Sequence, residues 1–283
     1  MSFYSSNLNL QIGIYSLLNS QGGKRVVRLI FDEAQEYLGL HAACAGTFGP
    51  MLERLAKTGI QRVFVTAMLP VRLEGLFLKN VGLDHKSPTH IIIHSPSVRP
   101  ELAHHVTLCP PSIPSTSATV NLTRILRGKL VADERMIIFV LGIPDAKDLS
   151  QKLRCDSYHA QLGHEEHAAC HQKWVDGENR AIVATTALIQ GIDLEFVRFV
   201  VFHNGTYGLI SYYQGAGRGG RSGSQCDVFT VMKGNVQSVD TKGPDVEARR
   251  EWKEFVEHKR CRLQVVTSCF DGMELSCGQI DNQ

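Results

Sequence analysis

Two adjacent carboxylates, Asp32 and Glu33, open the polar tetrapeptide DEAQ directly after a short apolar run at residues 25–31. The run RVVRLIF is typical of a buried parallel strand. Ligands of α/β proteins bind at the carboxyl ends of such strands. In nucleotide hydrolases an aspartate at this place holds Mg²⁺, and an adjacent acid orients the attacking water. The alternative is an acidic helix start, which the helix dipole favours, and the pair alone does not decide between the two.

A second set of candidate residues lies in the later half of the chain. The segment ATTALIQGID, residues 184–193, follows an apolar strand with small residues that let a ligand approach the backbone. The segment QGAGRGGR, residues 214–221, spaces Arg218 and Arg221 with glycines. Guanidinium groups presented in this way suit a phosphate. Alone, such a segment fits a flexible basic loop equally well, but the ordered set of acids, small-residue turn and arginines favours a nucleotide site.

The elements that must position these residues alternate between strands and helices. Strands are predicted at 25–31 and 62–67 with a helix at 50–57 between them, which makes a βαβ unit. Further strands are predicted at 136–141, 155–159, 181–185, 196–202 and 228–232, and helices at 146–153, 164–175 and 246–259. A short strand at 91–94 (IIIH) is left open. The alternation predicts an α/β fold with parallel sheets.

Composition places this chain among packed globular proteins. Of its 283 residues, 43% are hydrophobic and 20% charged, and the net charge of +2 neither demands nor excludes nucleic acid. Because no stretch of 18 apolar residues occurs, a membrane partner is not expected. The eight cysteines are too dispersed for a disulfide framework, which predicts reduced thiols.

These motifs, in this order, resemble the superfamily 2 helicases. DEAQ resembles motif II, Thr66-Ala67-Met68 resembles a variant of motif III, ATTALIQGID resembles motif V, and QGAGRGGR resembles motif VI. The surrounding sequences FDEAQEYLG, FGPMLERL, YHAQL and YYQGAGRGGRSG are similar to the RecQ family, and closest to its fungal telomere-linked type. The resemblance runs from about residue 25 to the C-terminus.

The resemblance implies an architecture and an activity. The fold would be α/β, with two RecA-like parallel-sheet domains, the first partial, and a short helical C-terminal extension. The expected boundaries are 1–95, a connecting segment at 96–118, the second domain at 119–232, and 233–283 as the start of a RecQ zinc-binding subdomain. The implied function is ATP-dependent 3′→5′ unwinding of DNA, single-stranded or partly duplex, in the nucleus. The oligomeric state is left open.

The resemblance also implies roles for residues of the first domain. Asp32 would coordinate Mg²⁺ for ATP, and Glu33 would position the hydrolytic water. Gln35 would link the nucleotide state to the second domain. Thr66 would relay that state toward DNA.

In the second domain, Gln214, Gly217 and Arg218 would line the ATP cleft, and Arg221 would be the arginine finger on the γ-phosphate. Gly191 and Asp193 would contribute to binding of the nucleotide, and Asp193 would also help to couple it to DNA. Contacts with DNA would involve Tyr158, His159 and Thr185.

Several positions depart from the family pattern. No GxxxxGK[ST] occurs in the sequence, so we expect an N-terminally truncated helicase that does not hydrolyse ATP alone. The alternative is a non-catalytic remnant that at most binds single-stranded nucleic acid. Met68 replaces the usual Thr or Ser of motif III, and Gly215 stands where motif VI often has glutamate.

Two candidate metal sites are weak on sequence grounds. Cys261 and Cys277 resemble the first two zinc ligands of the RecQ subdomain, but the following pair falls at Ile280 and Gln283, so zinc is not expected. His164, His167 and His171 share one face of a predicted helix that also contains Cys170. A solvated helix face is the favoured interpretation.

Overall fold

The computed structural model describes residues 28–38, 52, 55, 57–83, 90–131, 133–188, 195–234 and 246–280. The chain divides into two compact units, unit 1 (Met1–Pro96) and unit 2 (Ser97–Gln283). None of the helices in the described segments is long and apolar enough to span a bilayer.

Unit 1 contains a pair of parallel strands, β1 (Arg28–Phe31) and β2 (Gln61–Phe64), in register from Arg28 opposite Gln61 to Phe31 opposite Phe64. A 3-10 helix at Ala34–Leu38 follows β1, and β2 leads through a 3-10 helix at Val71–Leu73 to helix α1 (Glu74–Asn80). The rings of Phe31 and Phe64 stack 4.9 Å apart, and Phe77 packs edge-on against Phe64 at 5.6 Å. These aromatic contacts join the two strands to α1.

Unit 2 is built on a six-stranded sheet in which every neighbouring pair is parallel, in the order β3-β8-β7-β4-β6-β5. Its strands are β3 (Leu102–Cys109), β4 (Arg135–Phe139), β5 (Asp156–Tyr158), β6 (Ala181–Ala184), β7 (Val197–His203) and β8 (Cys226–Lys233). The central strand β4 is buried along its whole length, as expected for a strand covered on both faces. The predicted parallel α/β architecture is confirmed.

Helices connect these strands and continue beyond the last one. They are α2 (Ser115–Lys129), α3 (Ile143–Leu153), α4 (His164–Asp176), α5 (Leu209–Ala216), α6 (Val246–Glu257), α7 (Arg262–Asp271) and α8 (Cys277–Ile280). Helix α3 illustrates the packing, since Ala146, Leu149 and Leu153 recur at helical spacing and are all buried against the sheet core.

The segment 96–118, predicted from its prolines to connect two domains, contains more structure than expected. Strand β3 lies within it and pairs along its full length with β8, and α2 begins at Ser115. In this edge strand only the two end residues, Leu102 and Cys109, are buried, and two histidines interrupt the apolar residues. The strand therefore lacks the continuous apolar run by which the central strands were predicted.

The tripeptide Ile91–Ile93, whose assignment as a strand was left open, is not a strand. The side chains of Ile91 and Ile93 are each 89% exposed. No described strand pairs with this segment, and an apolar sequence without a pairing partner does not form a sheet.

Glycines inside two helices provide a test of how tightly unit 2 is packed. A Cβ on Gly215 of α5 would lie 2.9 Å from Phe202 and 3.2 Å from Phe139, two buried rings that stack at 5.3 Å. A Cβ on Gly128 of α2 would meet nothing within 4 Å.

We predict opposite effects of alanine at these two positions. Gly128→Ala should raise the free energy of unfolding by up to about 1 kcal/mol, because alanine favours the helix. Gly215→Ala should lower it, because overpacking costs about 1–3 kcal/mol and outweighs that gain. Urea denaturation of both variants measures the difference, and equal stabilisation by the two alanines would contradict the packing described for α5.

Candidate functional site

The carboxylates of unit 1 lie at the carboxyl end of β1. Asp32 is exposed, and one of its carboxylate oxygens accepts the backbone N–H of Glu33 at 2.9 Å. Glu33 has a φ of 50°, in the left-handed region that a residue with a Cβ seldom adopts. The turn therefore directs two consecutive carboxylates away from the strand, at a place where a cation could be bound.

A chain of hydrogen bonds links these acids to the end of β2. The buried amide of Gln35 donates to Glu33 Oε2 at 2.5 Å, while its Oε1 accepts the hydroxyl of Thr66 at 2.5 Å. The Thr66 hydroxyl in turn accepts the backbone N–H of Met68 at 3.2 Å. Every donor points the same way along this chain, so a change at the Glu33 carboxylate can reorient Thr66 through Gln35. Glu33, Gln35 and Thr66, separated in sequence, are thus one connected group.

In unit 2, three predicted nucleic-acid residues meet at the carboxyl edge of the sheet. Tyr158 ends β5 and Thr185 follows β6, and the backbone N–H of Thr185 donates to the Tyr158 carbonyl at 3.0 Å. His159 is buried, and its Nδ1 has no hydrogen-bond partner within the described ranges. A polar group left in that state has capacity for a further partner.

Helix α4 supports this edge. The ring of His167 stacks on Tyr158 at 4.5 Å, and its Nε2 contacts the His159 carbonyl oxygen at 2.8 Å. Burial raises the pKa of Tyr158, with a smaller contribution from Cys170. Burial and then the nearby Lys147 lower the pKa of His159, which keeps its ring neutral at physiological pH.

The His-rich face of α4 is consequently not wholly solvated. His164 is exposed, as the sequence predicted, but His167 is half-buried against Tyr158, and Cys170 is buried with its thiol directed at the Ser157 carbonyl. Within the residues that the structure describes, no group of three metal-binding side chains forms here or elsewhere.

Helix α5 carries Gln214 and is fixed on both sides by tyrosines. The Tyr212 hydroxyl contacts His104 Nδ1 at 2.8 Å, and the Tyr213 hydroxyl donates to the Ser97 carbonyl at 2.8 Å. Both tyrosines are buried, whereas Gln214, the next residue in the chain, is half-buried. The helix therefore anchors its apolar face and leaves Gln214 at the surface of unit 2.

The glycine-rich segment after α5 folds tightly against its surroundings. A Cβ on Gly219 would lie 2.2 Å from the Cys226 sulfur, and Gly220 has a φ of 64° with Glu101 and Ser224 close by. The guanidinium of Arg99 donates to the carbonyls of Gly219 and Gly220 at 3.3 Å each and pairs with the Glu101 carboxylate. The segment is thus an anchored loop, which contradicts the alternative of a flexible basic loop.

The two arginines of this loop are half-buried. Arg221 begins a 3-10 helix, and its Nε donates to the Gly217 carbonyl at 3.4 Å. That bond directs the side chain back across the loop that carries Arg218. The loop therefore holds both guanidinium groups on a backbone with little side-chain cover, an arrangement suited to a phosphate.

Near the C-terminus, Cys261 and Cys277 are in contact through their sulfur atoms, 3.1 Å apart. Burial raises the pKa of the Cys261 thiol, but hydrogen bonds from the backbone and side chain of Cys277, and from the backbone of Leu263 and Gln264, lower it further than burial raises it. The net pKa of Cys261 lies below the usual value for a cysteine.

Known proteins share this architecture and these motifs. Residues 118–223 match the family described as helicase conserved C-terminal domain. The putative ATP-dependent DNA helicase Q1 of Caenorhabditis briggsae is 41% identical over 92 residues, which cover 31% of this chain and 15% of that protein. The ATP-dependent DNA helicase hus2/rqh1 of Schizosaccharomyces pombe is 32% identical over 156 residues, covering 48% of this chain and 12% of that protein.

The fold is also found in a solved helicase structure. Dbp5 of S. cerevisiae, bound to RNA and ADP BeF3, superimposes with a TM-score of 0.60 at 18% identity, covering 79% of this chain and 57% of that chain. This chain spans well under two thirds of the length of either relative. The predicted resemblance to RecQ-type DNA helicases is confirmed by the two relatives above, and the predicted RecA-like α/β fold is confirmed.

Within this helicase framework, the predicted residues fall into three groups. Motif II and motif III residues are joined in unit 1, the edge residues Tyr158, His159 and Thr185 are joined in unit 2, and the motif VI residues share one loop and its preceding helix. Gly191 and Asp193 of motif V lie outside the described residues.

Two residues that act on the predicted site residues were missed from the sequence. Arg99 anchors the motif VI loop although more than a hundred residues separate them in sequence, and Lys147 of α3 lies close enough to His159 to lower its pKa. Neither residue belongs to a sequence motif, because each comes close to its partner only when the chain folds. Lys147 comes shortly after the end of β4, and this position could have indicated that it lies near the carboxyl edge of the sheet.

Helix α5 also depends on a histidine that must stay neutral. Burial, followed by the charges of His105 and Arg262, lowers the pKa of His104 from its usual 6.5 to about 4. Between those two values the unfolded chain binds a proton that the folded chain excludes. Unfolding therefore becomes easier as the pH falls below about 6.5, and the lowered pKa of the buried His203 acts in the same direction.

We predict that the free energy of unfolding decreases as the pH falls from 7 to 4, and that His104→Asn weakens this dependence. One excluded proton corresponds to a slope of at most about 1.4 kcal/mol per pH unit. Urea unfolding at several pH values measures the slope, with the exposed His164→Asn as the matched control. A slope that His104→Asn leaves unchanged relative to that control would refute the assignment.

Proposed function

We propose that this chain supplies the motor residues of a RecQ-type DNA helicase that unwinds DNA in the 3′→5′ direction with ATP and Mg²⁺. The observation that carries the proposal is the hydrogen-bond chain from Glu33 through Gln35 to Thr66. It joins the motif that handles the nucleotide to the motif that responds to it. Such a connection is needed where hydrolysis of the nucleotide must change the affinity for another ligand. We further propose that the protein acts in the nucleus.

The proposed catalytic roles divide between the two units. Asp32, exposed at the end of β1, would hold Mg²⁺, and Glu33 would orient the attacking water. Gln214, Arg218 and Arg221 would bind and neutralise the phosphates, with Arg221 as the finger. ATP and Mg²⁺ are the expected cofactors because the carboxylates of unit 1 suit a metal ion and the guanidinium groups of unit 2 suit a phosphate.

The proposed DNA surface is the carboxyl edge of the unit 2 sheet. Tyr158 offers an aromatic ring held by His167, the Nδ1 of His159 awaits a partner, and Lys147 brings a positive charge to the same edge. The named relatives are DNA helicases, and Dbp5 was solved with RNA bound, which supports a nucleic-acid strand as the ligand. Contacts of this kind address mainly the backbone and are therefore sensitive to salt.

A second candidate function is a non-catalytic protein that binds single-stranded nucleic acid without hydrolysis. The observation in its favour is that no GxxxxGK[ST] occurs among the 283 residues. Such a loop holds the β- and γ-phosphates with backbone N–H groups, a lysine and a hydroxyl. Acidic residues and arginines alone do not provide these contacts with the phosphates. Binding of nucleic acid and hydrolysis of ATP must therefore be tested separately.

For binding, we predict that the purified chain binds single-stranded DNA with an affinity that decreases as salt increases. Replacing Lys147 with alanine should weaken binding several-fold and reduce the slope of log K against log salt by roughly 0.7, the value for one phosphate contact on a single strand. Fluorescence anisotropy with a labelled oligonucleotide measures both quantities.

Lys253→Ala is the matched control for this experiment. Lys253 is exposed on α6, so its removal changes the net charge equally without altering the sheet edge. Equal losses in the two variants would show that only general charge matters. Absence of binding even at low salt would refute both candidate functions.

For hydrolysis, we predict that the 283-residue chain alone turns over ATP no faster than its Arg221→Ala variant, with or without single-stranded DNA. An arginine finger contributes about 10³–10⁵ in rate, but only when the γ-phosphate is held in position. Steady-state phosphate release measures the difference. DNA-stimulated turnover that Arg221→Ala abolishes would establish a complete ATPase in this chain and exclude the non-catalytic alternative.

A further inference from the structure

Two cysteines of the C-terminal extension lie in contact at the surface of unit 2. Cys261 immediately precedes α7 and is half-buried, whereas Cys277 begins α8 and is exposed. Their sulfur atoms are 3.1 Å apart, and the backbone N–H of Cys277 donates to the Cys261 sulfur at 3.3 Å. The sulfurs are therefore held together by local hydrogen bonding between two helix starts.

This pair does not fit a structural zinc site. Such a site needs four nitrogen or sulfur ligands in a tetrahedron. In the described part of the chain no third Cys, His, Asp or Glu joins the two cysteines in a metal-binding group. Ile280, which stands where the family pattern requires the next ligand, instead lines the adjacent cavity with its apolar side chain. The two cysteines are therefore considered as thiols that can react with each other.

The surroundings of the pair are basic. Both cysteines line a cavity of about 260 Å³ whose wall also carries three arginines and two histidines: Arg99, Arg260, Arg262, His104 and His105. Of these side chains, Arg99 is paired with the Glu101 carboxylate, His105 contacts the Asp227 carboxylate and burial keeps His104 neutral, so the positive charge at the cavity comes from Arg260 and Arg262. A small molecule with carboxylates near a sulfur atom would find charge complementarity next to the two thiols.

We propose that Cys261 and Cys277 form a reversible disulfide by exchange with an anionic low-molecular-weight disulfide, of which oxidised glutathione is the type. The Cys261 thiolate attacks one sulfur of the disulfide, forms a mixed disulfide, and releases the first thiolate. Cys277 loses its proton to water and attacks the Cys261 sulfur, which forms the internal disulfide and releases the second thiolate. Two protein thiols are oxidised, and one small disulfide is reduced to two thiols.

The geometry favours this pair over the other described cysteines. A disulfide bond is about 2.05 Å long, so the two sulfurs need to approach by only about 1 Å. Cys109, Cys170, Cys226 and Cys269 are buried, and burial raises the pKa of Cys155 and of Cys226 to about 12. Cys261 is half-buried and Cys277 is exposed, and their sulfur atoms are already in contact at 3.1 Å.

The internal disulfide would affect the helicase domain through α7. It would tie the start of α7 to α8, and Phe270 of α7 packs against Tyr213 of α5 at a centroid distance of 5.7 Å. Because a cross-link reduces the freedom of the unfolded chain, oxidation should raise the thermal midpoint of unit 2.

The test is equilibration of the full chain in glutathione redox buffers, followed by acid quenching, digestion and mass spectrometry. Cleavage after Arg262 and Glu274 places Cys261, Cys269 and Cys277 on three different peptides, so each possible cross-link has its own mass. We expect the Cys261–Cys277 cross-link to dominate in folded protein and to lose that dominance when the chain is oxidised in urea.

Two variants separate the steps of the exchange. Cys277→Ser should stop the reaction at a stable glutathione adduct on Cys261, while Cys155→Ser should leave the cross-link intact. Circular dichroism confirms that both variants are folded. The proposal is overturned by the absence of the Cys261–Cys277 peptide in oxidising buffer. It is equally overturned by about one tightly held zinc ion per purified chain that protects both thiols.

Discussion

The parallel pairing of all six strands in unit 2 is the constraint on which its candidate site depends. Parallel strands end at one edge, so residues that follow β5 and β6 become neighbours although α4 separates them in sequence. The bond from Thr185 N–H to the Tyr158 carbonyl is the direct result of that register. An antiparallel arrangement would send the same residues to opposite edges. The sheet therefore brings the residues of the proposed nucleic-acid surface to one edge, and α3 and α4 add Lys147 and His167 to that edge.

Close packing fixes the position of the motif VI segment, as strand register fixes the positions of Tyr158 and Thr185 at the sheet edge. The absence of a Cβ at Gly215 lets the stacked rings of Phe139 and Phe202 lie against α5, and at Gly219 it admits the Cys226 sulfur. The departure at Gly215 thus has a packing reason, because a larger side chain would collide with a buried aromatic pair. Arg99 then fixes the loop from outside by binding its carbonyls. A loop held in this way presents its arginines without first having to be ordered, which lowers the entropic cost of phosphate binding.

The sequence predicts the parts of this protein that repeat a simple physical pattern. Central strands such as β4 and β7 are apolar runs, and helices such as α4 begin and end at recognisable residues. The predicted bounds of these three elements differ from the observed ones by at most two residues. Strand β3 was missed because two histidines interrupt its apolar residues and only its two end residues are buried. Arg99 was missed because its partners lie far away in sequence. Ordered motifs identify which residues matter, but contacts such as Gln35 with Thr66 depend on side-chain geometry that spacing does not encode.

The departure at Met68 shows how the motif III connection can survive a change of side chain. In the hydrogen-bond chain of unit 1, position 68 contributes its backbone N–H to the Thr66 hydroxyl, and that donor is present whatever the side chain is. The same hydroxyl donates its own hydrogen to Gln35 Oε1, since a hydroxyl can accept and donate at once. Loss of the usual hydroxyl at position 68 removes one side-chain donor and acceptor, but the direction of the hydrogen bonds from Met68 N–H to Gln35 does not change. The part of motif III that communicates with Glu33 is therefore Thr66 together with the backbone turn that follows it.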